Sequence, residues 1–188
     1  KVKIIYKFII KVGMIVAIIG STGLVGQEIC KILKSEKNKR ITKVLLVSTK
    51  ESVKRLKTKN LITIEDAIKI KPNFVLFSAG SNVSIQHAQS FINNGAIIID
   101  NSSAFRMNPK YKLIVPEINK HILTKEDKII ANPNCSTIQL VLPLYAIQKH
   151  YKIKRIVVST YQAVTGSGKD AVTQLKEEQS NKNPKKKI

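Results

Sequence analysis

MIVAIIGSTGLVGQEICKIL, residues 14–33, decides the fold. Five consecutive apolar residues, Ile15–Ile19, read as a strand buried on both faces. Gly20, Gly23 and Gly26 follow at intervals of three and open an amphipathic stretch, Leu24–Leu33. Strand, tight turn and helix in that order form the start of a dinucleotide-binding unit. Gly20 can take the positive φ of the turn. Gly23 lets a pyrophosphate approach the helix N-terminus, where unpaired N–H groups and the dipole favour anions. Gly26 lets the helix press against the strand.

Working outward, short apolar runs alternate with helical patterns. The predicted strands are Ile15–Ile19, Val44–Val47, Phe74–Phe77, Ala96–Ile99, Leu113–Val115, Ile129–Ala131 and Ile156–Thr160. The predicted helices are Leu24–Leu33, Ser84–Asn93, Thr137–His150 and Lys169–Glu178. This alternation predicts an α/β fold, a doubly wound Rossmann-type nucleotide-binding domain over residues 14–134. Residues 135–188 lie beyond that domain and are expected to begin a second one, and residues 1–13 to be an extension before a natural start at Met14.

After the second strand come Ser48, Thr49 and Lys50, where an NAD-binding domain usually carries a carboxylate for the ribose hydroxyls. A hydroxyl and a cation there suit a 2′-phosphate and favour NADP(H); Glu51 weighs mildly the other way.

The octet NPNCSTIQ, residues 132–139, holds one of the two cysteines in the 188-residue chain. Pro133 disfavours helix at Asn132, and the helical periodicity begins after it. Cys135 is therefore expected at a helix N-terminus, where unpaired N–H groups and the dipole stabilise a thiolate. Asn134 beside it could position a substrate or donate to a developing oxyanion. Cys30 lies mid-helix among apolar residues and reads as packing. Two further clusters stand out. In IIIDNSSAFRMNP a strand ends in polar residues and Arg106, whose guanidinium suits phosphate or carboxylate. In STYQAVTGSGKDAV the last predicted strand delivers Gln162, and a Gly-rich turn, Thr165-Gly166-Ser167-Gly168, leads into a helix.

Composition excludes other classes. The net charge of +21 suggests polyanions, yet only Arg40, Arg55, Arg106 and Arg155 among 33 basic residues are arginine, the residue that reads phosphates and base edges bidentately. No specific nucleic-acid partner is expected, only salt-sensitive sticking. Lys3, Lys7 and Lys11 interrupt the apolar N-terminus too often for a membrane span, and no membrane association is expected. Two distant cysteines make no disulfide framework and fit a reducing, cytoplasmic setting.

The segments VAIIGSTGLVGQEI, VLFSAGSNVSIQHA, IIIDNSSAFRMNPKYKLIVPEIN, IIANPNCSTIQLVLPL and RIVVSTYQAVTGSGKDAV together resemble aspartate-semialdehyde dehydrogenase, in family order from Met14 to about Glu178. The resemblance implies NADPH-dependent reduction of L-aspartyl 4-phosphate to the semialdehyde with release of phosphate, a step toward lysine (through diaminopimelate), threonine and methionine. By similarity Cys135 is the nucleophile that forms a thioester, Gln162 orients the substrate, and Arg106 and Asn134 hold its phosphate. Gly20, Thr22, Gly23, Leu24, Val25, Ser48, Thr49, Lys50, Ser78, Thr165 and Gly166 match cofactor-binding positions; no metal is implied. The family assembles as a homodimer or homotetramer at full length. Its chain is nearly twice as long, and its general acid/base histidine matches none of His87, His121 or His150. The resemblance thus implies an amino-terminal portion, inactive alone, in which residues 135–188 begin an α+β catalytic and dimerisation domain, with the lysine-rich end after Glu178 departing from the family. N-acetyl-glutamyl-phosphate reductase performs the same chemistry, but shows glycine before the cysteine and tyrosine after it, where this sequence has Asn134 and Ser136. A non-catalytic basic remnant binding polyanions is the alternative from another class.

Overall fold

β1 (Met14–Ile19) has Val16, Ala17, Ile18 and Ile19 all buried, so both faces of the strand are covered. Consecutive burial of this kind marks a central strand of a parallel sheet, and β1 sits in the middle of one. The computed structural model describes residues 13–35, 40–56, 58 and 60–180. The expectations for residues 1–12 and for the lysine-rich end after Ser180 lie outside that range.

Next come α1 (Leu24–Ser35), β2 (Ile41–Val47), α2 (Lys50–Leu56), β3 (Leu61–Ile62) and α3 (Ile64–Ile70). They are followed by β4 (Phe74–Phe77), α4 (Ser81–Ile92), β5 (Ile97–Asp100), β6 (Lys112–Leu113), α5 (Pro116–Asn119) and β7 (Ile129–Ala131). The seven strands form one sheet in the order β3-β2-β1-β4-β5-β7-β6, and every pairing is parallel. The doubly wound Rossmann-type reading therefore holds. All strands run the same way, so Gly20, Ser48, Ser78, Asn101 and Asn132, each just past a strand, share one edge of the sheet. The chain reverses its winding between β1 and β4, the position at which open α/β sheets hold ligands.

The core gathers Ala17, Ile19, Val47, Val75, Phe77 and Ile98 from the sheet with Ala88 and Phe91 from α4. Phe77 and Phe91 meet edge to face at 6.0 Å between ring centroids. Such a pair adds about 0.5–1.5 kcal/mol beyond the area it buries.

The chain divides into two compact units, Lys1–Leu142 and Pro143–Ile188. The division falls inside α6 (Cys135–Gln148), where Pro143 cannot donate to the carbonyl four residues earlier. The described part of the second unit contains the end of α6, an irregular stretch, a 3₁₀ turn (Val164–Ser167) and α7 (Lys169–Gln179).

The helix expected to start at Ser84 starts at Ser81, and the one expected to reach His150 ends at Gln148. One expectation fails outright: Ile156–Thr160 is not a strand. The described residues offer it no paired neighbour, and an unpaired strand leaves its N–H and C=O groups without the ladder that makes it a strand. Val157 is accordingly 78% exposed. The short elements α2, β3 and α3 were absent from the sequence reading. Thr63 caps α3, accepting from the Asp66 N–H at 3.2 Å while its hydroxyl donates to the Asp66 carboxylate at 2.8 Å. That reciprocal pairing is a variant of the capping box and was readable in TIED.

Candidate active site

The turn after β1 is fixed by its own backbone. Gly20 has φ of +84°, and a side chain there would also collide with the Ser78 carbonyl. The N–H groups of Gly20 and Ser21 both donate to the Val47 carbonyl, at 3.0 and 3.1 Å, which locks the turn to the end of β2. A Cβ on Gly26 would strike the Gly20 carbonyl, so this glycine is what lets α1 lie close to β1. Gly23 differs. Its φ is ordinary, and a Cβ there would meet only the Gly20 oxygen, at 3.3 Å.

The side of Gly23 left open faces a cleft of about 220 Å³, lined by Ile19, Gly20, Thr22, Gly23, Ser48, Thr49, Ser52, Ile64, Ser78, Ala79 and Val83. Thr22 Oγ1 and Ser48 Oγ lie 3.2 Å apart across it, joining the first turn to the end of β2. The lining is hydroxyl-rich and includes no carboxylate, as an anionic ligand requires. Leu24 and Val25 are the first two residues of α1, whose opening N–H groups have no carbonyl within the helix to bond. A nucleotide pyrophosphate fits this combination: space at Gly23, hydroxyls on both sides, and the positive end of a twelve-residue helix.

The structure thus brings Gly20, Thr22, Gly23, Ser48, Thr49 and Ser78 to one cleft, with Leu24 and Val25 at the helix beside it. Ser52, Ile64, Ala79 and Val83 also line it and were missed. Ser52 and Ile64 sit on α2 and α3, two helices that the sequence reading passed over. Lys50, expected at the ribose end, forms an ion pair with Glu65 at 3.0 Å. The Glu51 carboxyl is held below its ordinary range by the backbone N–H at its own position, then by Thr49 and nearby Lys54 and Lys50.

At the same sheet edge, β7 ends and the chain passes through Asn132-Pro133-Asn134 into α6. Cys135 is the first residue of that helix and is exposed. Asn134 caps it: its side-chain oxygen accepts from the Ser136 N–H at 3.0 Å and the Ser136 hydroxyl at 2.6 Å, with the Cys135 thiol at 3.9 Å. Arg106 reaches this loop from the segment after β5. Its Nε donates to the Asn132 carbonyl at 2.8 Å and an Nη to the Asn101 carbonyl at 2.9 Å. The Asn132 amide closes the ring by donating to the Asn101 side-chain oxygen at 2.7 Å. Arg106 therefore straps the ends of β5 and β7 together, with guanidinium N–H groups to spare for an anion.

Beneath the strap, Asp100 is fully buried and accepts from Ser84 at 2.6 Å and Ser102 at 2.7 Å. Cys30 is buried on α1, and desolvation pushes its thiol up. In the second unit, Gln162 is exposed and its amide donates to the Thr160 hydroxyl at 3.3 Å. Thr165 and Gly166 lie in the 3₁₀ turn before α7. His87 is on α4, His121 in a 3₁₀ turn, and His150 just past α6. Among the described residues no three His, Cys, Asp or Glu side chains gather as a metal site would require, and no helix is long and apolar enough to cross a membrane.

Residues 15–126 match the family described as semialdehyde dehydrogenase, NAD binding domain. The chain is 43% identical over 167 residues to the aspartate-semialdehyde dehydrogenase of Bacillus subtilis, covering 87% of this chain and 48% of that protein. To the enzyme of the same name from Aquifex aeolicus it is 42% identical over 172 residues, covering 87% and 50%. Among solved structures, aspartate semialdehyde dehydrogenase II from Vibrio cholerae, complexed with ASA, superposes with a TM-score of 0.81 at 29% identity, over 93% of this chain and 55% of that one. The chain spans about half the length of these relatives. It belongs to the semialdehyde dehydrogenase family and carries that family's NAD-binding domain.

Proposed function

We propose that this chain supplies the cofactor cleft and the nucleophile of an aspartate-semialdehyde dehydrogenase, reducing L-aspartyl 4-phosphate to the semialdehyde and phosphate. The observation that carries the proposal is the exposed Cys135 at the first position of α6, at the sheet edge onto which the glycine-turn cleft also opens. The close relatives share the name of that activity.

The steps follow from the side chains. The Cys135 thiolate attacks the acyl carbon, the carbon–oxygen bond to phosphorus breaks, and phosphate leaves with the electron pair. Covalent capture divides one difficult displacement into two easier ones. The unused N–H groups of Arg106 suit the departing phosphate, and Asn134, which fixes the first turn of α6, holds the thiol in place. Gln162 orients the substrate. NADPH, when bound, supplies the hydride that reduces the thioester. The resulting thiohemiacetal on Cys135 then expels the thiolate and releases the aldehyde. Lys50 favours the phosphorylated cofactor over NADH, and Thr165 and Gly166 complete the nicotinamide side.

The proposal extends to domain organisation, with residues 14–134 as the cofactor domain and 135–188 as the start of a catalytic and dimerisation domain. At full length the protein acts on small molecules in the cytoplasm as a homodimer or homotetramer, without a specific nucleic-acid partner. This chain alone does not turn over, since none of its three histidines occupies the acid/base position.

Acylation tests the proposal without demanding turnover. Incubation with L-aspartyl 4-phosphate in the absence of reductant is expected to place one hydroxylamine-labile acyl group on the Cys135 peptide, absent from Cys135→Ser. Acyl groups spread over lysines, with none at Cys135, would contradict it.

A further inference from the structure

The cation at the ribose end of the cleft already has a carboxylate partner. Lys50 Nζ and Glu65 Oε1 are 3.0 Å apart, yet they belong to different helices. Lys50 opens α2 directly after β2, and Glu65 lies in the first turn of α3 directly after β3. They meet because β2 and β3 pair in parallel, which sets the segments leaving their carboxyl ends side by side. Immediate neighbours of both residues, Thr49 and Ile64, line the cleft, as does Ser52 one turn along. The pair therefore stands where the end of the second strand meets the ribose of a dinucleotide.

Glu65 is ionised at neutral pH. The N–H at its own position in the first turn of α3 and then the Lys50 ammonium hold its carboxyl below the ordinary range. The side chains are 61% and 49% exposed, so the pair is screened and opens readily to a stronger anion. A ribose 2′-phosphate is such an anion. To bind Lys50 it must share the ammonium with Glu65 or displace it, and in either case Glu65 remains a few ångströms from a second negative group, held there by its helix. A 2′-hydroxyl meets neither obstacle.

We infer that Glu65 is a specificity-determining residue, which competes with the 2′-phosphate for Lys50 and so lowers the preference for NADPH over NADH. The inference rests on the cofactor reading above. Removing one charge at this range in a partly solvated site is worth about a three- to tenfold change in affinity. Titrating both reduced cofactors by nicotinamide fluorescence against the wild-type chain, Glu65→Gln, Glu65→Lys and Lys50→Ala tests it. Glu65→Gln is expected to tighten NADPH about three- to tenfold while NADH stays within about twofold. Glu65→Lys is expected to go further in the same direction, and Lys50→Ala to weaken NADPH alone. The Glu65→Gln gain is expected to shrink as salt is raised. NADH reports whether a variant still folds. Binding of both cofactors at an unchanged ratio in Glu65→Gln and Glu65→Lys would overturn the inference alone. Binding of neither cofactor by any of the four proteins would overturn the cofactor reading and the inference with it.

Discussion

The two cysteines and the three glycines show how position gives one residue type different roles. Cys135 is exposed in the first turn of α6, whereas Cys30 is buried on α1 with its thiol raised by desolvation. Alkylation by iodoacetamide near neutral pH is expected to run at least about tenfold faster at Cys135, because the thiolate is the nucleophile. Equal, slow labelling of both would remove the argument that Cys135 is the reactive thiol. Gly26 packs against the Gly20 carbonyl, so Gly26→Ala is expected to destabilise by about 1–3 kcal/mol, seen as a lowered melting temperature. The spacing of the glycines and the proline before Cys135 made both features legible in the sequence. The strap made by Arg106 was not legible. Its acceptors are the backbone carbonyls of Asn101 and Asn132, and a carbonyl leaves no mark on residue type.

Among the elements, β1, β4 and β7 were readable because each is a continuous apolar run, as interior strands of a parallel sheet are. The run Ile156–Thr160 has the same composition and is no strand, since pairing depends on a neighbour that local sequence does not specify. α2 and α3 were overlooked because seven-residue helices, barely two turns long, carry little periodicity. The strand pair β6–β7 has its own electrostatic support. Asp127, just before β7, accepts from Lys112 of β6 at 2.8 Å and from the Thr124 N–H at 2.7 Å. The Lys112 bond is the first cause holding the Asp127 carboxyl below its ordinary range. A depressed carboxyl stabilises the fold above its unfolded value of about 3.9 and loses that contribution as pH falls through the folded value. Lys112→Ala is therefore expected to be less stable than wild type in urea at pH 7, with the gap closing below about pH 4. A gap independent of pH would assign the loss to packing.

Taken whole, the molecule is a cofactor unit with a second, smaller unit that exposes much of its apolar surface. In that second unit Tyr161 is 99% exposed, Val157 78% and Tyr151 73%. Which residues stay uncovered was not legible in the sequence, because apolar periodicity says that a face seeks cover and not whether cover is present. The charge of +21 was legible, and so was its arginine-poor makeup. The central claim is that the parallel-sheet edge around Gly23 holds a nicotinamide dinucleotide. Its most direct test is titration of the chain with NADPH, followed by nicotinamide fluorescence, beside Gly23→Val. Saturable one-to-one binding is expected, weakened at least about tenfold in Gly23→Val because the new side chain fills the cleft, not the protein core. No saturation at millimolar NADPH, or equal binding by a folded Gly23→Val, would contradict the claim.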